Sequence, residues 1–163
     1  MVADDPDFVA LFEREYASQV RTAYLILGDE GLAREVAQEA FARALARWRR
    51  LKGYDKPGAW VRLVTVRLAL RTRDRRSVEQ PPSARADEAP AVEQPADLDL
   101  VRAVRALPER QRAAVVLHYQ CDLPVDEVAA IMRITPSTTR VHLHQARARL
   151  AELLGEETHD VPT

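Results

Sequence analysis

Apolar side chains recur along this chain at the three- and four-residue spacing of helices, and every substantial segment outside residues 77–97 reads as helix. After Pro6, the residues Phe8, Leu11, Phe12, Tyr16, Val20, Ala23 and Leu27 keep helical spacing. Asp5 followed by Pro6 is a cap with proline at the first helical position. Gly28 and Gly31 then break the chain. A second helix is expected over about 31–50, with Ala33, Val36, Ala37, Ala40, Ala44 and Trp48 on one face. Residues Lys52 to Lys56, with Gly53 among them, form a loop. Pro57 starts a third helix that runs to about Arg75.

Residues 77–97 break this rhythm. They hold four prolines, several alanines and acidic groups, and almost no large apolar residue. Such a segment buries too little surface to order itself, so it reads as a flexible linker. Beyond it, helices are expected over about 98–106, 109–120, 125–133 and 136–153, with Pro108, Pro124 and Pro136 at or next to helix starts. The expected layout is therefore all-α: a domain over 6–76, a linker over 77–97, a second domain over 98–154 and a disordered tail over 155–163.

The firmest local pattern is a helix-turn-helix over 125–150. Val125, Val128, Ala129 and Met132 give the first helix an apolar side, and Asp126 and Glu127 suit its N-terminal dipole. Arg133, Ile134 and Thr135 form a short turn. Thr135 can cap the next helix, with Pro136 at its first position. That helix buries Thr139, Leu143, Ala146 and Leu150. On the helical wheel Ser137, Val141 and His144 then lie opposite, with Arg140 and Arg147 on one flank and Thr138, Gln145 and Arg149 on the other. No acidic residue occurs from 128 to 151, which suits insertion in a major groove. Arg reads guanine or holds phosphate, Gln reads adenine, and Val141 can touch a thymine methyl.

Composition and charge narrow the field. Of 163 residues, 47 % are apolar but only 6 % aromatic, a mixture that favours helix over strand. No apolar run approaches the roughly 18 residues of a membrane span. The acidic N-terminus (Asp4, Asp5, Asp7) is not that of a signal or transit peptide. Cys121 is the only cysteine, and His142 and His144 do not share a helix face, so no metal site is expected. No phosphate loop or nucleophile constellation is present, and the chain is not expected to be an enzyme or to carry a cofactor. The net charge of −1 hides a strong asymmetry. Residues 1–39 hold three basic and nine acidic side chains, residues 40–76 twelve and two, residues 77–99 one and six, and residues 100–163 eight of each. The middle block is a candidate polyanion-binding surface.

Three stretches in this order resemble the extracytoplasmic-function (ECF) sigma factors of bacterial RNA polymerase. GDEGLAREVAQEAFARALARW is similar to the family's core-binding helix, PGAWVRLVTVRLALRTRDRR to its promoter-melting helix, and LPERQRAAVVLHYQCDLPVDEVAAIMRITPSTTRVHLHQARARLAELL to its C-terminal domain. The resemblance implies two small helical domains, region 2-like and region 4-like, joined by the Pro-rich linker. It implies core RNA polymerase as partner through the β′ clamp helices and the β-flap, promoter DNA at the minus-10 and minus-35 elements, an anti-sigma factor and a cytoplasmic location.

On the second helix Glu35, Gln38, Glu39 and Ala42 fall opposite or beside the apolar face, a patch suited to a basic helical partner such as core polymerase. On the third, Trp60, Val64, Arg67 and Arg71 form one stripe, while Leu63, Val66 and Leu70 form a neighbouring stripe better suited to the core. Trp60 fits two roles, a core residue or a platform for an unstacked base beside phosphate-holding arginines. The loop before this helix lies where the family captures its flipped base. Tyr54 can stack there, and Lys52 and Lys56 can hold phosphates. Several positions depart from family habit. Arg67 and Arg71 replace a frequent Asn and Asp, and Arg34 and Ala37 replace an acid and a valine. Val141, His142 and Gln145 stand for Ser, Arg and Arg, and Pro124 for a capping Ser. The minus-35 contacts expected are Ser137, Thr138, Arg140, Val141, His144, Gln145 and Arg147. The competing reading is a free-standing helix-turn-helix regulator that acts without core polymerase.

Overall fold

The computed structural model describes residues 2–79 and 95–155. Among them are eight α-helices and no strand, as the periodicity implies: α1 (Pro6–Leu27), α2 (Glu30–Ala46), α3 (Trp48–Leu51), α4 (Pro57–Glu79), α5 (Pro95–Arg105), α6 (Glu109–Val115), α7 (Val125–Met132) and α8 (Pro136–Gly155). A single 3-10 turn, Val2–Asp4, precedes α1, and a π-helical segment, Val116–Gln120, prolongs α6. The chain divides into two compact units, one holding α1–α4 and the other α5–α8. Of the expected linker, residues 80–94 lie outside the described residues. Its two ends are helical, because α4 continues to Glu79 and α5 begins at Pro95. Of the expected tail, 156–163 lies outside the described residues, and Gly155 closes α8.

In the first unit α1, α2 and α4 pack against one another. The Asp5 carboxylate accepts from the Asp7 amide at 3.0 Å and starts α1. Gly28 ends it at φ 67°, where its N–H donates to the Tyr24 carbonyl at 2.7 Å. A left-handed residue there costs glycine nothing and most others about 1–2 kcal/mol. Gly31 is not a break: it lies in the first turn of α2, which Asp29 caps by accepting from the Leu32 amide at 3.0 Å. The expected single helix over 31–50 is also stepped. It stops at Ala46, and Arg47 (φ −111°, ψ 12°) offsets the short α3, which carries Trp48 and Leu51 into the core.

The core joins Phe8, Leu11, Phe41, Trp48, Leu51 and Val61 over the alanines of α2. Phe8 meets Trp48 edge-on at 5.3 Å and Phe41 at 6.5 Å between ring centroids, the arrangement that ring quadrupoles favour. The inner face of α4 differs from the expected Leu63, Val66, Leu70 stripe. Val66 is closed off, but Leu63 and Leu70 are half-buried, and the smaller Val61, Thr65 and Ala69 face inward at four-residue spacing. A helix wedged against two others turns its narrowest ridge to them, and the larger leucines cover the margins. The Thr65 hydroxyl donates to the Val61 carbonyl at 2.9 Å, so its burial leaves that group satisfied.

In the second unit α8 packs on α5, α6 and α7. The expected helix over 109–120 is α-helical only to Val115. The Cys121 amide then donates five residues back, to the Val116 carbonyl at 3.1 Å. The turn between α7 and α8 is fixed by two backbone bonds, Arg133 N–H to Ala130 at 3.3 Å and Ile134 N–H to Ala129 at 3.1 Å. Arg133 sits in the left-handed region at φ 57°. Thr135 then accepts from the Thr138 amide at 3.1 Å and caps α8.

Two substitutions test this turn in opposite directions. Arg133→Gly relieves the left-handed strain and raises stability by up to about 1 kcal/mol after the extra freedom of the unfolded glycine is counted. Thr135→Ala removes the cap and lowers stability by about 1 kcal/mol. Hydrogen exchange of α7 and α8 amides in the full chain reads both, and equal signs would refute the assignment of the turn.

Candidate nucleic-acid interface

The outer face of α8 is open. Ser137, Thr138, Arg140, Val141, His144, Gln145 and Arg147 are all exposed, while Thr139, Leu143 and Ala146 are buried and Leu150 is half-buried. Two of the exposed set are tied down. The Gln145 amide oxygen accepts from Gln111 Nε2 at 3.3 Å, and Arg147 Nη1 donates to the Tyr119 hydroxyl at 2.9 Å. Gln111 lies on α6 and Tyr119 in the π-helical segment. Neither was singled out by sequence, since nothing local marks a contact across 34 or 28 residues.

In the first unit, α2 and α4 border a cleft of about 190 Å³ lined by Arg43, Arg47, Trp60, Val64, Arg67, Leu68 and Arg71. The expected stripe Trp60, Val64, Arg67 and Arg71 is thus brought together on one wall. Trp60 combines both expected roles: it is half-buried against the core and still borders the cleft. The Arg47 guanidinium lies 5.8 Å from its ring centroid, a cation–π contact. Arg43 and Arg47 escaped the sequence reading. Arg43 lies in the last turn of α2 and Arg47 caps its C-terminal end, four residues on, and only the fold shows that this edge looks toward α4. Four arginines round one cleft repel one another, and a polyanion relieves that repulsion.

The loop residues fare differently. Tyr54 is 45 % exposed and Lys56 is exposed, but neither lines the cleft. Lys52 does not stand ready for a phosphate: its ammonium lies 2.9 Å from the Asp5 carboxylate and 3.3 Å from that of Asp7. The hydrogen bond from Lys52 holds the Asp5 carboxyl below its ordinary pKa, and the same bond, with a second that Lys52 donates to Asp7, holds Lys52 above its own. The acidic start of the chain neutralises this lysine. On α2 the expected partner patch, Glu35, Gln38, Glu39 and Ala42, is exposed throughout. Glu39 also pairs with Arg43 at 3.0 Å, so the patch and the cleft share one ion pair.

A family model described as Sigma-70 region 2 matches residues 11–78, and one described as Sigma-70, region 4 matches residues 97–150. An RNA polymerase sigma-E factor of Streptomyces coelicolor is 31 % identical over 139 residues, covering 83 % of this chain and 78 % of the relative. A sigma-E factor of Streptomyces antibioticus is 30 % identical over 161 residues, with 95 % and 87 % covered. The ECF RNA polymerase sigma factor SigE of Mycolicibacterium smegmatis is 31 % identical over 166 residues, with 90 % and 62 % covered. Among solved structures, the sigma factor RpoE of Bartonella quintana, crystallised with the anti-sigma factor NepR, aligns with a TM-score of 0.68 at 20 % identity over 95 % of this chain and 99 % of that one. At that identity the likeness concerns the fold.

The Lys52 tie has a pH signature. The Asp5 contribution is present above its ordinary pKa and is lost as pH falls through the lowered value. The Lys52 contribution is present below its ordinary pKa and is lost as pH rises through the raised one. The tie therefore holds across neutral pH. A carboxyl NMR titration of Asp5 is expected to give a midpoint below the ordinary aspartate value, and Lys52→Met should raise it toward that value. A midpoint indifferent to the substitution would mean that the ion pair is not populated.

Proposed function

Because the chain belongs to the sigma-70 family of RNA polymerase sigma factors, in its ECF group, we propose a division of labour between its two units. The protein is an ECF RNA polymerase sigma factor, which binds core polymerase and directs promoter recognition and DNA opening at initiation. The free-standing regulator falls away, because the region 2 match over residues 11–78 covers a domain that such a regulator lacks.

In this reading the first unit, residues 6–76, engages core polymerase through the β′ clamp helices and opens the minus-10 element. The cleft of Trp60, Arg67 and Arg71 carries the proposal, joined by Arg43 and Arg47. An unstacked base would rest on Trp60 once Arg47 moves off its face, and the arginines would neutralise the neighbouring phosphates. Tyr54 and Lys56 extend the contact on the loop side. Lys52 contributes only after release from Asp5 and Asp7. The outward side of α2, with Glu35, Gln38, Glu39 and Ala42, meets the clamp helices. The second unit, residues 98–154, reads the minus-35 element through Ser137, Thr138, Arg140, Val141, His144, Gln145 and Arg147, and meets the β-flap. Residues 77–97 span between the two. Opening draws on binding energy and base capture, with no side-chain chemistry. RpoE of Bartonella quintana was solved with the anti-sigma factor NepR, and an anti-sigma partner is proposed for this chain too. No helix among the described residues is long and apolar enough to cross a membrane, and a place beside the cytoplasmic polymerase completes the reading.

Two experiments separate the faces. Replacing Arg67 and Arg71 together by Ala should leave core binding unchanged and slow promoter opening, scored by permanganate reactivity of unpaired thymines. It should also flatten the log–log salt dependence of promoter binding by about 1.5, from ~0.7–0.9 per phosphate lost. Equal loss of core binding would overturn the assignment of that α4 face. For the α2 patch, Glu39 is a poor probe, because reversing it also releases Arg43 into the cleft. Gln38→Ala with Glu35→Lys is cleaner. It should weaken core binding by ~1–2 kcal/mol, roughly five- to thirtyfold. Undiminished affinity for core would remove this patch from the interface.

A further inference from the structure

Gln145 and Arg147 leave α8 on either side of Ala146, which is fully shielded. Consecutive residues point about 100° apart on a helix, so the two long side chains emerge on opposite flanks of that buried position. Both are held from the α6 region, one by Gln111 of α6 and the other by Tyr119 of its π-helical extension. The extension is itself anchored. His118 packs edge-on against Tyr119 at 4.8 Å, and its Nδ1–H donates to the Leu123 carbonyl at 2.8 Å. The recognition helix is therefore gripped on both flanks before any DNA arrives.

The Gln111 grip has a polarity. Its Nε2 donates to Gln145 Oε1, while its own Oε1 is buried with no hydrogen-bond partner among the described residues. Turning both amides over would let Gln111 accept from Gln145 instead. It would then bury the Gln111 amino group, with two hydrogens to satisfy in place of one carbonyl oxygen. An under-satisfied carbonyl is the more tolerated of the two, so the observed orientation is favoured. With Oε1 drawn toward α6, the Gln145 amino group is the end turned outward. An outward amino group is a donor. It matches base edges that offer acceptors, such as purine N7, guanine O6 or thymine O4, and it opposes the amino group of cytosine.

We propose that Gln111 is a specificity-determining positioning residue: by fixing the amide of Gln145 it makes this helix prefer an acceptor-bearing base at one minus-35 position. The inference rests on the reading above that α8 enters the minus-35 major groove. It also accounts for a glutamine where the family often carries arginine. A flexible glutamine reads donors and acceptors alike, and only a second residue that fixes its amide makes it selective.

The test uses the full-length chain with core polymerase on a promoter library randomised across the minus-35 element, with transcript abundance as the readout. The wild type should discriminate at one base pair by roughly fivefold or more against cytosine. Gln145→Ala should flatten that position alone. Gln111→Ala should flatten the same position, and the double substitution should match Gln145→Ala by itself. Gln111→Glu keeps the size but can only accept from the Gln145 amino group. It should turn the amide over and move the preference toward bases that offer an amino group, cytosine or adenine. If Gln145→Ala alters the profile and both Gln111 variants leave it intact, the proposal is overturned while the reading of α8 stands. A uniform loss on every minus-35 sequence with either Gln111 variant marks a merely structural role and likewise overturns it. If Gln145→Ala changes no position, Gln145 is not a base reader and both the proposal and that part of the α8 reading fail.

Discussion

Ala33, Ala37, Ala40 and Ala44 are fully shielded along the inner face of α2, and the first unit's outward surfaces depend on how near they let α1 and α4 approach. A larger residue at any of them would force off-rotamer packing, typically costing about 1–3 kcal/mol. Helix sides are shared out by such contacts. Once the alanines face inward, Glu35, Gln38 and Ala42 are exposed on the outside, and Arg43 and Arg47 fall at the edge facing α4. One helix thereby serves the core, the proposed polymerase contact and the proposed nucleic-acid cleft.

That economy couples the two surfaces. The Glu39–Arg43 ion pair at 3.0 Å joins the proposed polymerase patch to the cleft. As an exposed pair it contributes little to stability, about 0.3–0.5 kcal/mol for this spacing. Its weight lies in where it leaves the positive charge. A partner that engaged Glu39 would release Arg43 toward the cleft, where Arg47 already covers Trp60. A covered aromatic face and a crowd of like charges are both relieved by the same ligand, a strand with an unstacked base between phosphates. At the opposite end of the charge pattern, Asp5 and Asp7 occupy Lys52, so the acidic start of the chain restrains part of the basic block.

The second unit follows a different economy. Its geometry is set by short-range backbone features: Arg133 at a positive φ, the Thr135 cap and the π-helical segment that swings Tyr119 toward α8. Strained or irregular backbone tends to persist where the surrounding packing over-determines it. Here the π-helical segment holds Arg147 of α8 through Tyr119, while the Arg133 turn and the Thr135 cap set where α8 begins. In the proposed reading, the face of α8 carries fewer charges than the family habit, and positioned hydrogen bonds take a larger share of the discrimination.

The amino-acid sequence by itself determined the parts of this protein that obey local rules. Helix starts followed from Asp5–Pro6, Pro57 and Thr135–Pro136, the helix-turn-helix from spacing within two turns, and the alanine face of α2 from its period. The open face of α8 was legible for the same reason, since a wheel needs only the positions of its buried members. Tertiary structure alone decided which ridge of α4 turns inward, that α2 steps at Arg47, that Lys52 is held by Asp5 across 47 residues, and that Gln111 holds Gln145 across 34. Periodicity reports which side of a helix is apolar. It does not report which neighbour covers that side, and the contacts that hold Lys52 and orient the amide of Gln145 come from such neighbours.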